Sequence, residues 1–237
     1  MKNLNTALVT GSGRGIGKET AILLAEKGLS VIVSSRTQTE IDSVVKEIKS
    51  IGKSQVSGRK CDVSIAADVN DLVKEALNNY GSIDVLISNA GISYVKKVVD
   101  TTEEEWNQTL DINLKGAFLS CKAIVPHMMM NNLGVIINVS SGAGKVGFED
   151  ISAYCASKFG LIGLTESLAW EVANYNIRVM SICPGEVATK MQQDVDPQYY
   201  KANKHKMLHP RIVAEKIAEM IFDDKEYRNG VSIDLPN

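Results

Sequence analysis

Short runs of Val, Ile and Leu alternate along the chain with longer segments in which apolar residues recur every three to four positions. A short continuous apolar run suits a strand buried on both faces, and the longer period suits a helix that covers it. This pattern places strands near 5–10, 30–35, 55–60, 83–88, 134–140, 177–183 and 231–234, and helices near 15–27, 38–51, 66–79, 103–130, 152–174 and 211–222. Strict alternation of β and α requires crossover connections, hence a parallel sheet and not hairpins. The expected fold class is α/β, a doubly wound parallel sheet of about seven strands with helices on both faces. With five prolines, no Gly/Ser-rich linker and no internal repeat, one domain is expected over 1–237. The least regular stretch, about 185–210, holds Pro197, Asn203, His205, His209 and Pro210, and is expected to be a substrate lid with one short helix.

Composition narrows the classes. Lys and Arg number 26 against 28 Asp and Glu, so no global field draws the chain to nucleic acid or an anionic membrane, and neither partner is expected. No run of about 18 apolar residues occurs, and Met1 to Asn5 leads directly into the first apolar segment; the expected location is cytoplasmic. Cys61, Cys121, Cys155 and Cys183 are single and widely spaced, and His127, His205 and His209 lack a partner set, so neither a disulfide framework nor a metal site is expected. Trp106 and Trp170 read as packing residues.

The first candidate chemistry follows the first strand. Gly11-Ser12-Gly13-Arg14-Gly15-Ile16-Gly17 stands between a strand and a helix, the setting in which glycines let backbone approach a pyrophosphate at a helix N-terminus. Chains that bind NAD place Asp or Glu at the end of the second strand, for the ribose 2′-hydroxyl. Here that strand ends Ser34-Ser35-Arg36-Thr37, and the next acid is Glu40. Ser35, Arg36 and Arg14 suit a 2′-phosphate, so NADP (as NADPH) is expected as cofactor, with NAD less favoured. A dinucleotide site of this form makes the fold Rossmann-like.

The chain resembles the short-chain dehydrogenase/reductase family from Asn5 to about Asp234. The residues that carry the resemblance are the Thr10 to Gly17 turn, Cys61-Asp62-Val63, Asn89-Ala90-Gly91, the set Asn113, Ser141, Tyr154 and Lys158, and Pro184-Gly185 with Val187 and Thr189. In pattern it is nearest to 3-oxoacyl carrier-protein reductase-like members, with Asn132 and Tyr175 where those carry basic residues. The resemblance implies that Asp62 and Val63 meet the adenine, that Asn89, Ala90 and Gly91 follow the fourth strand beside the cofactor, and that Pro184 to Thr189 hold the carboxamide. Asn113, Ser141, Tyr154 and Lys158 become the catalytic set, with Asn113 linking Lys158 to solvent through water.

Elementary chemistry agrees with these spacings. Tyr154 and Lys158, four residues apart on a predicted helix, share one face. An ammonium beside a phenol is expected to lower its pKa toward working pH. Ser140 and Ser141 are equal candidates by placement at the strand end, and the thirteen-residue spacing to Tyr154 favours Ser141 as hydrogen-bond donor to a carbonyl oxygen. The expected activity is hydride transfer between nicotinamide and a carbonyl or secondary alcohol, with 3-oxoacyl thioesters among the candidate substrates. The alternative is a catalytically silent NADP-binding regulator or scaffold. Apolar residues on more than one face of the helices near 103–130 and 152–174, among them Leu114, Phe118, Leu161, Leu164 and Leu168, suggest a homo-oligomer, either a tetramer or a dimer. Lys190, Lys201, Lys204, Lys206 and Arg211 outnumber the lid's acids, which reads either as solvated surface charge or as attraction for an anionic substrate group.

Overall fold

Apolar runs without alternation become strands that are buried on both sides. In the computed structural model, which describes residues 4–237, β1 (Thr6–Thr10), β4 (Val85–Ser88) and β5 (Gly134–Val139) are buried along their whole length. With β2 (Ser30–Ser35), β3 (Val56–Lys60), β6 (Ile177–Pro184) and β7 (Ser232–Leu235) they form one seven-stranded sheet in the order β3-β2-β1-β4-β5-β6-β7. Every pairing is parallel. Successive side chains of β1 enter opposite layers. Ala7 and Val9 join Leu24, Val44 and Ile217 on one face, while Leu8 joins Leu72, Ile124 and Leu168 on the other. The first layer is roofed by α1 (Gly15–Glu26), α2 (Gln38–Ile51) and α9 (Pro210–Phe222), the second by α3 (Ala66–Tyr80), α5 (Gly116–Asn131) and α6 (Ser152–Glu171). This is the expected Rossmann-like α/β fold. Because β1 neighbours both β2 and β4, the connections leave it in opposite directions, and a crevice opens beyond the carboxyl ends of the strands there.

Three elements differ from their sequence reading. The helix expected over 103–130 is α4 (Glu103–Leu110), opened by a Thr102/Glu105 capping box, then a π-helical turn at Asp111–Lys115, then α5. Periodicity gives little sign of such a turn, since a single i→i+5 turn takes up only about one extra residue in a long helical pattern. The lid contains two short helices where one was expected, α7 (Lys190–Val195) capped by Thr189 and α8 (Pro197–Asn203) capped by Asp196 with Pro197 in its first turn. Backbone bonds from Ala188 to the Leu208 carbonyl and from Leu208 to the Glu186 carbonyl, both 2.9 Å, close the lid's base. Trp170 is not a packing residue: it projects from α6 with 83% of its surface exposed. Its size made it look like core, whereas its neighbours Leu168 and Ala169 are the residues that α6 buries.

Among the described residues, no helix is long and apolar enough to cross a membrane. The four cysteines are buried and free.

Candidate active site

The crevice is a cleft of about 440 Å³. Its floor is the glycine turn between β1 and α1. Gly11 and Gly15 have φ of +63° and +58°, where a side chain is strained, and a Cβ on Gly11 would lie 2.7 Å from Ala90 Cα. A Cβ on Gly17 would collide with the Asn89 amide and the Gly11 carbonyl. Asn89 clamps this turn by donating from Nδ2 to the Thr10 and Gly11 carbonyls, both at 3.0 Å, while its own N–H donates to Thr10 Oγ1 at 3.1 Å. Ser12 is wholly buried; its hydroxyl donates to the Val9 carbonyl at 2.7 Å and accepts from the Ser34 N–H at 2.8 Å. Ser12, Gly17 and Asn113, expected at the site, therefore build its walls, while the other expected residues line the cleft directly. No side chain caps α1 at Arg14 and no acid stands in its first turn, so the N–H groups and positive dipole end are left for an anion. This cradle fits a dinucleotide pyrophosphate.

One end of the cleft holds Ser35, Arg36, Asp62, Val63 and Arg14. Arg36 faces Asp62 at 4.0 Å. Burial acts to raise the Asp62 carboxyl, but hydrogen bonds from the Ser64 hydroxyl and N–H, at 2.7 and 3.0 Å, together with Arg36 hold it below the usual carboxylate range. Glu40, which sequence spacing set aside, also lines this end, and its Oε1 meets Arg14 Nη1 at 3.3 Å. The first turn of α2 runs back toward the glycine turn, a return that linear spacing does not reveal.

At the other end stand Ser141, Tyr154 and Lys158. The two candidate serines are now distinguished. Both line the cleft, but Ser140 is buried with its hydroxyl donating to the Lys158 carbonyl at 3.1 Å, whereas Ser141 is only partly buried and accepts from the Ala143 N–H at 3.1 Å, capping the 3₁₀ turn Gly142–Gly144. Lys158 is buried, and its Nζ donates to the Val139 carbonyl at 2.7 Å and lies 5.5 Å from the centre of the Tyr154 ring. Burial lowers its pKa from 10.5 to about 8. The Tyr154 phenol is raised, not lowered as expected: desolvation outweighs a hydrogen bond with Ser141 that pulls the other way. Asn113 sits in the π turn, accepts from the Ile92 N–H at 2.8 Å and donates to the Ile92 carbonyl at 2.9 Å and Ser157 Oγ at 3.0 Å. Its amide thus ties the strand-end loop to α6.

Sequence reading missed the apolar wall beside Tyr154, made by Val95, Phe148, Ile151, Met191 and Val195. Phe148 and Ile151 lie between the predicted Ser141 and Tyr154, which was the available signal. The lid's basic excess is smaller than it reads. Lys190 pairs with Asp194 at 2.8 Å, and Arg211 turns away to Glu26 on α1 at 2.5 Å, leaving Lys201, Lys204 and Lys206 exposed outside the cleft.

The chain matches the short chain dehydrogenase family over residues 5–200. It is 34% identical over 239 aligned positions to a 3-oxoacyl-(acyl-carrier-protein) reductase of Staphylococcus aureus, covering 98% of this chain and 97% of the relative. Identity to the reductase of the same name from Thermotoga maritima is also 34%, covering 96% and 94%. Among solved structures, an actinorhodin polyketide ketoreductase variant with NADPH superposes with a TM-score of 0.93 at 30% identity, covering 98% of this chain and 95% of that one. Levodione reductase follows at 0.92 and 26%, covering 97% and 95%. With the glycine turn, Ser141, Tyr154 and Lys158 gathered on one cleft, and with these matches over nearly its whole length, the chain belongs to the short-chain dehydrogenase/reductase family of oxidoreductases.

Proposed function

We propose that the protein is an NADP-preferring carbonyl reductase or secondary-alcohol dehydrogenase in which Tyr154 is the general acid/base. The observation that carries this reading is the placement of Ser141, Tyr154 and buried Lys158 at one end of a cleft whose other end presents a glycine cradle with Arg14 and Arg36. Gly11 to Gly17, Ser35, Arg36, Asp62, Val63, Asn89 to Gly91, and Pro184, Gly185, Val187 and Thr189 would hold the dinucleotide, which supplies or accepts the hydride when bound. Tyr154, raised by burial, stays protonated across neutral pH and is ready to donate to a carbonyl oxygen. Ser141 donates a hydrogen bond to the same oxygen as charge develops on it. Lys158, at about 8, can carry or release a proton near working pH and so restore the phenol. The apolar side chains of Val95, Phe148, Ile151 and Met191 in the lining favour an uncharged substrate body.

The names of the relatives put 3-oxoacyl thioesters among the candidate substrates, although no unpaired lid cation lines the cleft to attract an anionic carrier. NADPH and NADH oxidation by a panel of neutral ketones and 3-oxoacyl thioesters is the test. Turnover with NADPH, and a lower kcat/KM with NADH, is expected. Cofactor binding without turnover on any carbonyl would point to a silent regulator.

We further propose a homo-oligomer. Leu161 and Leu168 are spent on the core, yet α5 and α6 still present Phe118, Phe159 and Trp170 to solvent, with 44%, 46% and 83% of each exposed. Large apolar residues left exposed on helices of one layer are characteristic of a subunit interface. Sedimentation at micromolar concentration should give two or four times the 25.8 kDa chain mass. A mass of one chain would reject the assignment.

A further inference from the structure

The two cations at the ribose end of the cleft each face a carboxylate: Arg14 faces Glu40 at 3.3 Å and Arg36 faces Asp62 at 4.0 Å. The reach of Glu40 depends on the glycine turn. A Cβ on Gly13 would lie 2.7 Å from Glu40 Oε2 and 2.9 Å from Ser35 Oγ, so only glycine lets that carboxylate stand against the turn and beside the Ser35 hydroxyl. Arg14, Ser35 and Glu40 all line the same cleft.

We infer that Glu40 is a specificity-determining residue that limits the site's preference for a 2′-phosphate, by engaging Arg14 and by placing its own negative charge at the ribose end. The inference rests on the dinucleotide reading of the cleft given above. Its physical basis is charge. Two guanidinium groups and two carboxylates sum to zero, so the ribose end offers a phosphate dianion no net positive charge; whatever Arg14 contributes is gained against Glu40, whose carboxylate then stands near the phosphate. A ribose 2′-hydroxyl is neutral and escapes that repulsion. Because these side chains are partly exposed, the effect is damped by water and salt, and a carboxylate a few ångströms from the phosphate weakens binding by roughly three- to tenfold.

The experiment is equilibrium titration of wild type and Glu40→Gln with NADPH, NADH and 2′,5′-ADP, a probe that carries the 2′-phosphate without nicotinamide. The variant keeps size and hydrogen-bonding capacity while removing the charge. NADPH and 2′,5′-ADP should each bind about three- to tenfold more tightly to Glu40→Gln, NADH should change by less than about twofold, and the gain should shrink at high salt. Unchanged or weaker binding of 2′,5′-ADP and NADPH would overturn the inference, because Glu40 would then be neutral or would hold Arg14 in place for the phosphate. The wild-type comparison is separate. If NADH binds as tightly as NADPH, NADP preference fails, while the 2′,5′-ADP titration still decides the role of Glu40.

Discussion

Tyr154→Phe is expected to lower kcat by about 10²–10⁴-fold while NADPH affinity stays within about twofold, because the ring stays and only the proton donor is lost. The ring lies against buried Lys158, and its hydroxyl interacts with Ser141, so phenylalanine keeps the wall of the cleft and removes one polar atom. Single-turnover measurements with saturating NADPH separate this loss from any change in binding. A variant that keeps more than about a tenth of wild-type kcat would reject Tyr154 as the acid. The raised phenol pKa also sets a direction. Carbonyl reduction uses the protonated phenol and should hold its rate through neutral pH, whereas alcohol oxidation needs the phenolate and should climb as pH rises into the alkaline range.

Lys158→Met should produce the second large effect, a fall in kcat of about 10²-fold or more joined to an altered pH dependence of stability. The lysine is buried, and its pKa stands at about 8 in the folded chain against 10.5 for the free side chain. Between those values the unfolded state binds more protons than the folded one, so wild-type stability rises with pH through that window; below about 8 the cost of burying the ammonium is fully present. The gain across the window is about 3 kcal/mol at most, by the usual conversion of a pKa difference. Methionine carries no such proton. It forfeits the bond from Nζ to the Val139 carbonyl but removes the buried charge, so relative to wild type it should be most favoured near pH 7 and lose ground toward pH 10. Urea denaturation of both proteins from pH 7 to 10 provides the measurement. Parallel stability curves would show that burial does not perturb Lys158, and would remove the basis for its role in proton transfer.

The sequence by itself determined the elements whose signal is local. Continuous apolar runs such as Leu8-Val9 and Val85 to Ile87 can be satisfied only between two covering layers, and a strict β/α alternation leaves few topologies, so the parallel sheet was legible. The glycine turn was legible for the same reason: strand, turn and helix are consecutive, and their chemistry needs no distant partner. Tyr154 and Lys158 share a face because helical geometry puts them there. Tertiary structure decided what depends on distant groups. It committed the Ser140 hydroxyl to the Lys158 carbonyl and set the Ser141 hydroxyl against Tyr154, a choice that two adjacent serines do not reveal. It brought Glu40 back to Arg14 across 26 residues, and committed the Asn113 amide to Ile92 and Ser157 from a π turn that is too short to stand out in the helical period. It also reversed the expected pKa of Tyr154. Proximity to a lysine can be read from spacing, but desolvation is a property of everything packed around the pair, and only the folded chain sets how much water is removed.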